Sequence, residues 1–353
     1  LQYIQNPALF LKLRKVLRQY AFQRKEVLAG MYKNRPEKLK ATLSIDLDNQ
    51  WAYMKTNGDS NWAALPSYLD IFIPHFLDLL SQLHLKVTFF IVGQDAVLSR
   101  HRDLMARITA EGHEVGNHSF NHEPGFHDYS RSRIREEISQ SEEAIVSATG
   151  VKPIGFRSPG FSWSERLFDV LSECGYEFDA STFPTYLGPL ARAFFFATSK
   201  LSPEEKEKLG RLYGTFSDGL RPLRPYHWHL PAGKELLEVP VTTMPIFRLP
   251  VHMTYLSFLA GFSTPFMRFY LNAATRLCQA TRTEPHFLLH PLDVLGSDQV
   301  PALSRFPTMK MPSKQKTELV KQVLKTLAAR FDLSGMNEYV RYKRSRSMHE
   351  HLP

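Results

Sequence analysis

Residues 41–49 read Ala41-Thr42-Leu43-Ser44-Ile45-Asp46-Leu47-Asp48-Asn49. The apolar run from Ala41 to Asp46 predicts a buried strand, and two carboxylates two residues apart close it. Outward from this strand, short β-rich runs alternate with helical patterns. Leu69, Phe72, Ile73, Phe76, Leu79, Leu80 and Leu83 recur at helical spacing behind Pro66 and Ser67. Val87 to Val92 predicts a second strand, and Leu98, Leu104, Met105 and Ile108 mark the next helix. Glu114 to Asn117 follows as a short strand, then a helix carrying Ile134, Ile138, Ile145 and Val146. Ile154 to Phe156, a helix around Leu167 to Leu171, and strands near Phe178, at Leu236 to Val241 and at Phe287 to Leu289 continue the series. A last helix carries Leu319, Val320, Val323, Leu324 and Leu327.

Repeated strand–helix units predict an α/β fold, and about seven of them predict an irregular (β/α)7 barrel. The alternation stops between Tyr186 and Lys234, where Pro and aromatic residues concentrate around a charged helix expected from Ser202 to Tyr213. A connection that long reads as a helical or loop insertion, a lid or substrate-binding element. The expected layout is a basic N-terminal helical arm at 1–40, a catalytic domain at 41–340 with the 186–234 insertion, and a basic tail at 341–353.

Charge divides the chain in the same way. Residues 1–40 hold ten Lys/Arg against Glu26 and Glu37, a net +8, and the tail from Arg341 adds +3. The body between is slightly acidic, so no basic groove for nucleic acid is expected. In the arm, Phe10, Leu13, Leu17, Tyr20 and Ala21 share a helical face while Lys12, Lys15 and Arg18 fall largely elsewhere. That pattern fits either an anionic bilayer surface or a helix docked on the protein itself. Early basic residues argue against a secretory signal, and Pro265 and Arg268 interrupt the longest apolar stretch, Met253 to Leu271. Two cysteines far apart, Cys174 and Cys278, predict no disulfide framework. The expected location is cytoplasmic, with peripheral contact at the inner face of the membrane as an option.

Four clusters stand at the C-terminal ends of the expected strands, where active sites of parallel α/β folds lie. They are Asp46 with Asp48, His118 with His122, Arg157-Ser158-Pro159-Gly160, and His290 closing Phe287 to Leu289. Two imidazoles and a carboxylate suit an open Zn²⁺ site, which lowers the pKa of a water and polarises a carbonyl. A second carboxylate can then accept the water proton, and a histidine on the far side can protonate a leaving amine. Each cluster alone also fits a structural role: acids cap helices, and single histidines pack in cores. The weight lies in all four occurring in this order.

In these motifs the chain resembles the polysaccharide deacetylase family, the NodB-homology or carbohydrate esterase 4-like group, from about Ala41 to Asp293. The resemblance implies a distorted (β/α)7 barrel and a divalent-metal-dependent deacetylase acting on an N-acetylated amino sugar of a glycan or lipid-linked saccharide. It implies Asp48, His118 and His122 as ligands of a divalent metal, Zn²⁺ first, and Asp46 as base, held by Arg157. His290 would be the acid, oriented by Asp179, and the Gly160 N–H would stabilise the oxyanion. Trp51 and Trp163, just beyond these motifs, are candidate sugar-stacking residues; Phe161 reads as packing, as does His286. Leu47 between the acids, and Gly160 where many members carry an aromatic, are departures. The first leaves open an allantoinase-like hydrolase of small amides; a third reading is a non-catalytic sugar-binding relative, against which every catalytic position is filled.

Overall fold

The structure, a computed structural model, describes residues 38–350. The expected basic arm at 1–40 lies almost wholly outside the described residues. Nine strands form one sheet: β1 (Lys40–Asp46), β2 (Thr88–Ile91), β3 (Glu114–Asn117), β4 (Gly155–Phe156), β5 (Phe178–Asp179), β6 (Tyr226–His229), β7 (Glu235–Glu238), β8 (His286–Leu289) and β9 (Asp332–Ser334). Their order is β6-β7-β5-β4-β3-β2-β1-β8, with β9 beside the first half of β1. Seven of them, β1 to β5 with β7 and β8, run parallel as neighbours, and β9 runs parallel to β1 as well. Residues just after β7 complete the curl: Val239 and Val241 donate to Asp179 and Thr182, and Thr242 donates to the carbonyl of His286 on β8. This is the irregular (β/α)7 barrel expected from the alternation.

β1 is buried along both faces from Ala41 to Asp46, polar Thr42 and Ser44 included. That is the pattern of a central parallel strand covered on two sides. Helices α1 (Gln50–Thr56), α2 (Leu69–Leu83), α3 (Arg102–Ala110), α4 (Arg131–Thr149) and α5 (Glu165–Glu173) follow the first strands. Their boundaries follow local chemistry. The Ser130 and Ser164 side chains accept from N–H groups in the first turns of α4 and α5, and Gly150 closes α4 at φ 74°.

Where the alternation lapses, the chain is more regular than expected. The 186–234 segment holds α6 (Gly188–Thr198), a short α7 (Pro203–Lys208) and β6, which pairs antiparallel with β7. The charged helix expected from Ser202 to Tyr213 therefore ends at Lys208. Its Ser202–Glu205 capping box fixes the start, and Gly210 and a left-handed Tyr213 (φ 63°) keep it from continuing. The apolar stretch from Met253 is a hairpin of α8 (Met253–Phe262) and α9 (Thr264–Ala280), divided at Ser263, which caps α9 ahead of Pro265. Helices α10 (Ser313–Arg330) and α11 (Met336–Glu350) complete the described chain. Among the described residues no helix is long and apolar enough to cross a membrane.

Inside the curl, Phe90, Phe178, Ala180, Leu237 and Val239 meet Met336, Tyr339 and Val340 of α11. The Glu114 carboxylate accepts from the N–H groups of Asn337 and Glu338, 2.8 Å each, and so anchors the start of that helix. Two glycines on neighbouring strands make room for the large rings. A Cβ on Gly116 would lie 2.5 Å from the Phe90 ring, and one on Gly155 would lie 2.0 Å from Phe178. Gly155→Ala is thus expected to cost about 1–3 kcal/mol through overpacking. Urea unfolding should show a lower midpoint at unchanged slope; an unaltered midpoint would mean that Phe178 swings aside freely.

Candidate metal centre and active site

Asp46 ends β1, and Asp48 lies two residues beyond. The helix-capping role open to an acid here falls to Asn49 instead. Its Oδ1 accepts from Gln50 N–H (2.8 Å) and Tyr68 N–H (3.2 Å), while its Nδ2 donates to Ser67 Oγ and Asp95 Oδ1. Asp48 is left to point at the histidines. His118 follows β3 directly, and the loop to His122 passes through two left-handed residues, Ser119 (φ 63°) and His122 (φ 49°). Buried Glu137 of α4 pins this loop, accepting from Phe120 N–H, Asn121 N–H and Asn121 Nδ2 at 3.1, 3.0 and 2.6 Å. Glu137 was not legible as a site residue, since it sits mid-helix in a run of surface acids.

His118 Nε2 lies 3.3 Å and His122 Nε2 3.0 Å from Asp48 Oδ1. All three side chains are buried, and their donor atoms lie within 4.8 Å of one another. The tautomer of His118 follows from its other nitrogen: Nδ1 is 2.7 Å from the Arg157 carbonyl, which can only accept. Nδ1 therefore carries the proton, and the Nε2 lone pair faces Asp48. Asp48 Oδ1 is buried without a hydrogen-bond partner. Lone pairs converging on one point repel unless a cation lies between them, and two imidazoles with one carboxylate are the donors of an open zinc-type site. The residues therefore fit a divalent ion. With protons on the two Nε2 atoms in place of an ion, burial pushes the Asp48 carboxyl up, but His122 and His118 outweigh it and hold the group well below the usual range.

Arg157, fully buried, donates from Nη1 to Asp46 Oδ1 (2.6 Å) and Ser44 Oγ (3.0 Å), and from Nε to the Ala180 carbonyl (3.0 Å). Its guanidinium lies 4.2 Å from the Phe90 ring centroid. The other carboxylate oxygen of Asp46 faces His118 Nε2 at 4.0 Å and His290 Nε2 at 3.8 Å. Gly160 adopts φ 64°, and its carbonyl accepts from Tyr213 N–H at 2.9 Å. The insertion thus reaches the site. Leu212 Cδ1 lies 2.4 Å from where a Cβ on Gly160 would stand, and burial, with Asp48 nearby, pushes the Tyr213 hydroxyl up to about 12.

Three sequence expectations are corrected. Asp179 does not orient His290; its carboxylate accepts from Ser181 N–H and Oγ, 2.8 Å each, and shares its buried pocket with Glu238. The carboxylate beside His290 is Asp293, 4.0 Å from Nδ1, while Thr254 Oγ1 lies 3.1 Å from the same nitrogen. The signal was present in His290-Pro291-Leu292-Asp293, an acid three residues past a strand-end histidine, where Asp293 Oδ2 also accepts from His290 N–H at 2.8 Å. Trp51 is 1% exposed and its indole N–H donates to Asp95 at 3.0 Å, so it has no face for a sugar. The Trp163 ring is occupied by Phe168 (5.7 Å, stacked), Trp228 (5.2 Å) and the Arg221 guanidinium (4.0 Å). His286 packs inside the barrel against Tyr339, and His227 and His229 point outward from β6.

Residues 66–178 match the family model "Polysaccharide deacetylase", a span that includes His118, His122, Arg157 and Gly160. An uncharacterized Bacillus subtilis protein, YlxY, is 32% identical over 102 residues, 29% of this chain and 31% of that protein. A peptidoglycan-N-acetylglucosamine deacetylase of Bacillus cereus is 34% identical over 88 residues, 25% of this chain and 31% of that enzyme. The chain thus spans about a third of the length of these relatives. A Mycobacterium smegmatis structure named for the polysaccharide deacetylases superposes with a TM-score of 0.53 at 17% identity, covering 89% of this chain and 93% of that one. It shares the fold.

Beneath the site, burial raises the Asp95 carboxyl to about 7, against the opposing hydrogen bonds from Asn49 and Trp51. Folded Asp95 therefore binds a proton that the unfolded chain, ordinary near 3.9, does not hold. The associated stability is complete below about pH 4 and is lost as pH rises through about 7. Thermal unfolding from about pH 5 to about pH 8 should show wild type losing more stability than Asp95→Asn, by on the order of a few kcal/mol. Parallel pH profiles would contradict this.

Proposed function

We propose, for a chain that carries the polysaccharide deacetylase fold and the family's sequence signature over residues 66–178, that it hydrolyses the N-acetyl amide of an amino sugar in a glycan or lipid-linked saccharide. The observation that carries this reading is the convergence of His118 and His122 Nε2 on an unpartnered Asp48 oxygen, with Asp46 and His290 on its flank. In this reading Asp48, His118 and His122 hold a divalent ion, zinc by their donor set, which when bound lowers the pKa of water and polarises a carbonyl.

The chain's own residues divide the remaining work. Asp46 is the base. Arg157 occupies its Oδ1, leaving Oδ2 to take the proton of a water attacking the acetyl carbon. The Gly160 N–H, on a turn fixed by Tyr213 and Leu212, serves as an oxyanion donor. His290 is the acid. Its Nδ1 faces Thr254 and Asp293, so Nε2 points to the site and can protonate the departing nitrogen. Asp293 is the positioning carboxylate in this scheme. The C–N bond breaks, and acetate and a free amine leave.

Two free thiols, Cys174 and Cys278, accord with a cytoplasmic location. The ten Lys/Arg of residues 1–40 motivate, as part of this reading, peripheral contact with an anionic membrane. The layout in this reading is a catalytic unit at 41–340 with the 186–234 insertion and a basic tail from 341, whose first residues continue α11.

Acetate release from N-acetylated oligosaccharides, measured beside bound metal by elemental analysis, tests the assignment. Asp46→Asn should retain metal and lose activity by about 10²–10⁴-fold. His118→Ala should lose both metal and activity. Asp293→Asn should retain metal, lower kcat more than it changes KM, and shift the alkaline limb of the pH profile. Full activity in Asp46→Asn would remove the proposed base, and full metal content in His118→Ala would remove the proposed ligand set.

A further inference from the structure

One outer part of the molecule exposes a run of large aromatic side chains on two packed helices. In the α8–α9 hairpin, Phe258, Phe262, Phe266 and Phe269 are 41%, 77%, 52% and 69% exposed. Phe258 and Phe262 pack ring to ring at 4.9 Å, and Tyr255 meets Tyr270 at 5.7 Å, joining the two helices. Exposed phenylalanines gathered at a helix-hairpin tip are a surface that a monomer in water has no use for. Just ahead of α8, Ile246 and Phe247 stand at the tip of a turn closed by the Thr243–Pro250 bridge, 71% and 58% exposed. Ile246 is held at φ 72°, a conformation that costs a β-branched residue, with no burial on the protein to offset it.

Two further observations say what covers this surface. The first is charge. Between Glu238 and Glu284 the sequence has no Asp or Glu, while Arg248, Arg268, Arg276 and Arg282 fall within it. A groove of about 350 Å³ between α9 and α10 opens beside the aromatics and is lined by Arg268, Gln322 and Lys325. Aromatic anchors with Arg268 and Lys325 beside them, in a segment that contributes no acid of its own, match an anionic lipid surface.

The second is continuity with the active site. Rings run in contact from Phe161, beside Gly160, through Phe183 (5.1 Å), His252 (5.5 Å), Tyr255 (6.3 Å) and Phe258 (6.4 Å) to Phe262. The first turn of the same helix supplies Thr254 to His290. The element that displays the phenylalanines is thus the element that holds the candidate acid.

We propose that the α8–α9 hairpin is a membrane-docking surface that seats Phe262, Phe266 and Phe269 in the interface of an anionic bilayer, with α8 leading from the lipid to the site. This docking does not depend on residues 1–38. Its consequence, that the enzyme meets a substrate carried on lipid, rests on the deacetylase reading; the docking itself does not.

The test uses the full chain and vesicles of phosphatidylcholine with and without phosphatidylglycerol, read by sedimentation. Wild type should sediment with the anionic vesicles and much less with the neutral ones. Phe262→Ser with Phe269→Ser should weaken that partition by roughly tenfold or more, since two ring anchors are lost. The thermal midpoint and the hydrolysis of a soluble N-acetylated oligosaccharide should not change. Arg268→Glu should weaken binding to anionic vesicles only. Three results would overturn the proposal. Wild type could remain in the supernatant. The double variant could sediment as wild type does, which would leave any binding to residues 1–38. The substitutions could instead dissociate a dimer on gel filtration with no effect on lipid binding, which would make the surface a contact between two copies. Loss of soluble-substrate hydrolysis in wild type would count against the deacetylase reading alone.

Discussion

A buried ion pair between Arg157 and Asp46 organises the molecule. An unpaired guanidinium at the centre of a barrel would cost several kcal/mol, so Arg157 requires the carboxylate at the end of β1. The same guanidinium reaches Ser44 on β1, the Ala180 carbonyl after β5, the face of Phe90 on β2 and the sulfur of Met336 at the start of α11. One side chain thus ties three strands and the helix that closes the barrel floor. In doing so it assigns the two oxygens of Asp46 different tasks: Oδ1 is spent on the scaffold, and Oδ2 faces the histidines. Fold and chemistry meet at that carboxylate, and the glycines that admit Phe90 and Phe178 are part of the same arrangement.

The two carboxylates of the Asp46-Leu47-Asp48 motif separate by environment. Asp46 lies against a permanent cation, and Asp48 lies against two imidazoles whose Nε2 atoms face its Oδ1. Asn49 takes over the capping duty, so neither acid is diverted into the backbone of α1. A comparable division occurs on the acid side, where Asp293 serves His290 while Asp179 and Glu238 share a buried pocket. Burial raises both of those carboxyls. The pair supports the turn from Ala180 to Thr182, which receives the Arg157 Nε donor.

The barrel was legible because its strands are short apolar runs with polar ends, and because Asp46, His118, Arg157 and His290 each close one. What remained hidden depended on tertiary packing. Nothing in Gln50-Trp51-Ala52 reveals that the indole turns inward to Asp95. Trp163 stands beyond a motif, yet its ring is covered by Trp228 and Arg221, about sixty positions away, as well as by nearby Phe168. The choice between Asp179 and Asp293 turns on which strand ends lie side by side. The insertion hid a helix and a strand because Gly188-Pro189 and Pro225-Tyr226 read as loop punctuation. Tyr213 reaches the site only because its left-handed backbone folds the end of the segment back onto Gly160.

The most direct measurement is X-ray absorption on zinc-loaded protein, paired with anomalous diffraction from the same preparation. A site built on Asp48 requires two imidazole nitrogens and one carboxylate oxygen from the protein at about 2.0–2.2 Å, with the ion beside Asp46 and not bound by it. An ion found elsewhere, or one ligated by Asp46 with Asp48 turned away, would contradict it.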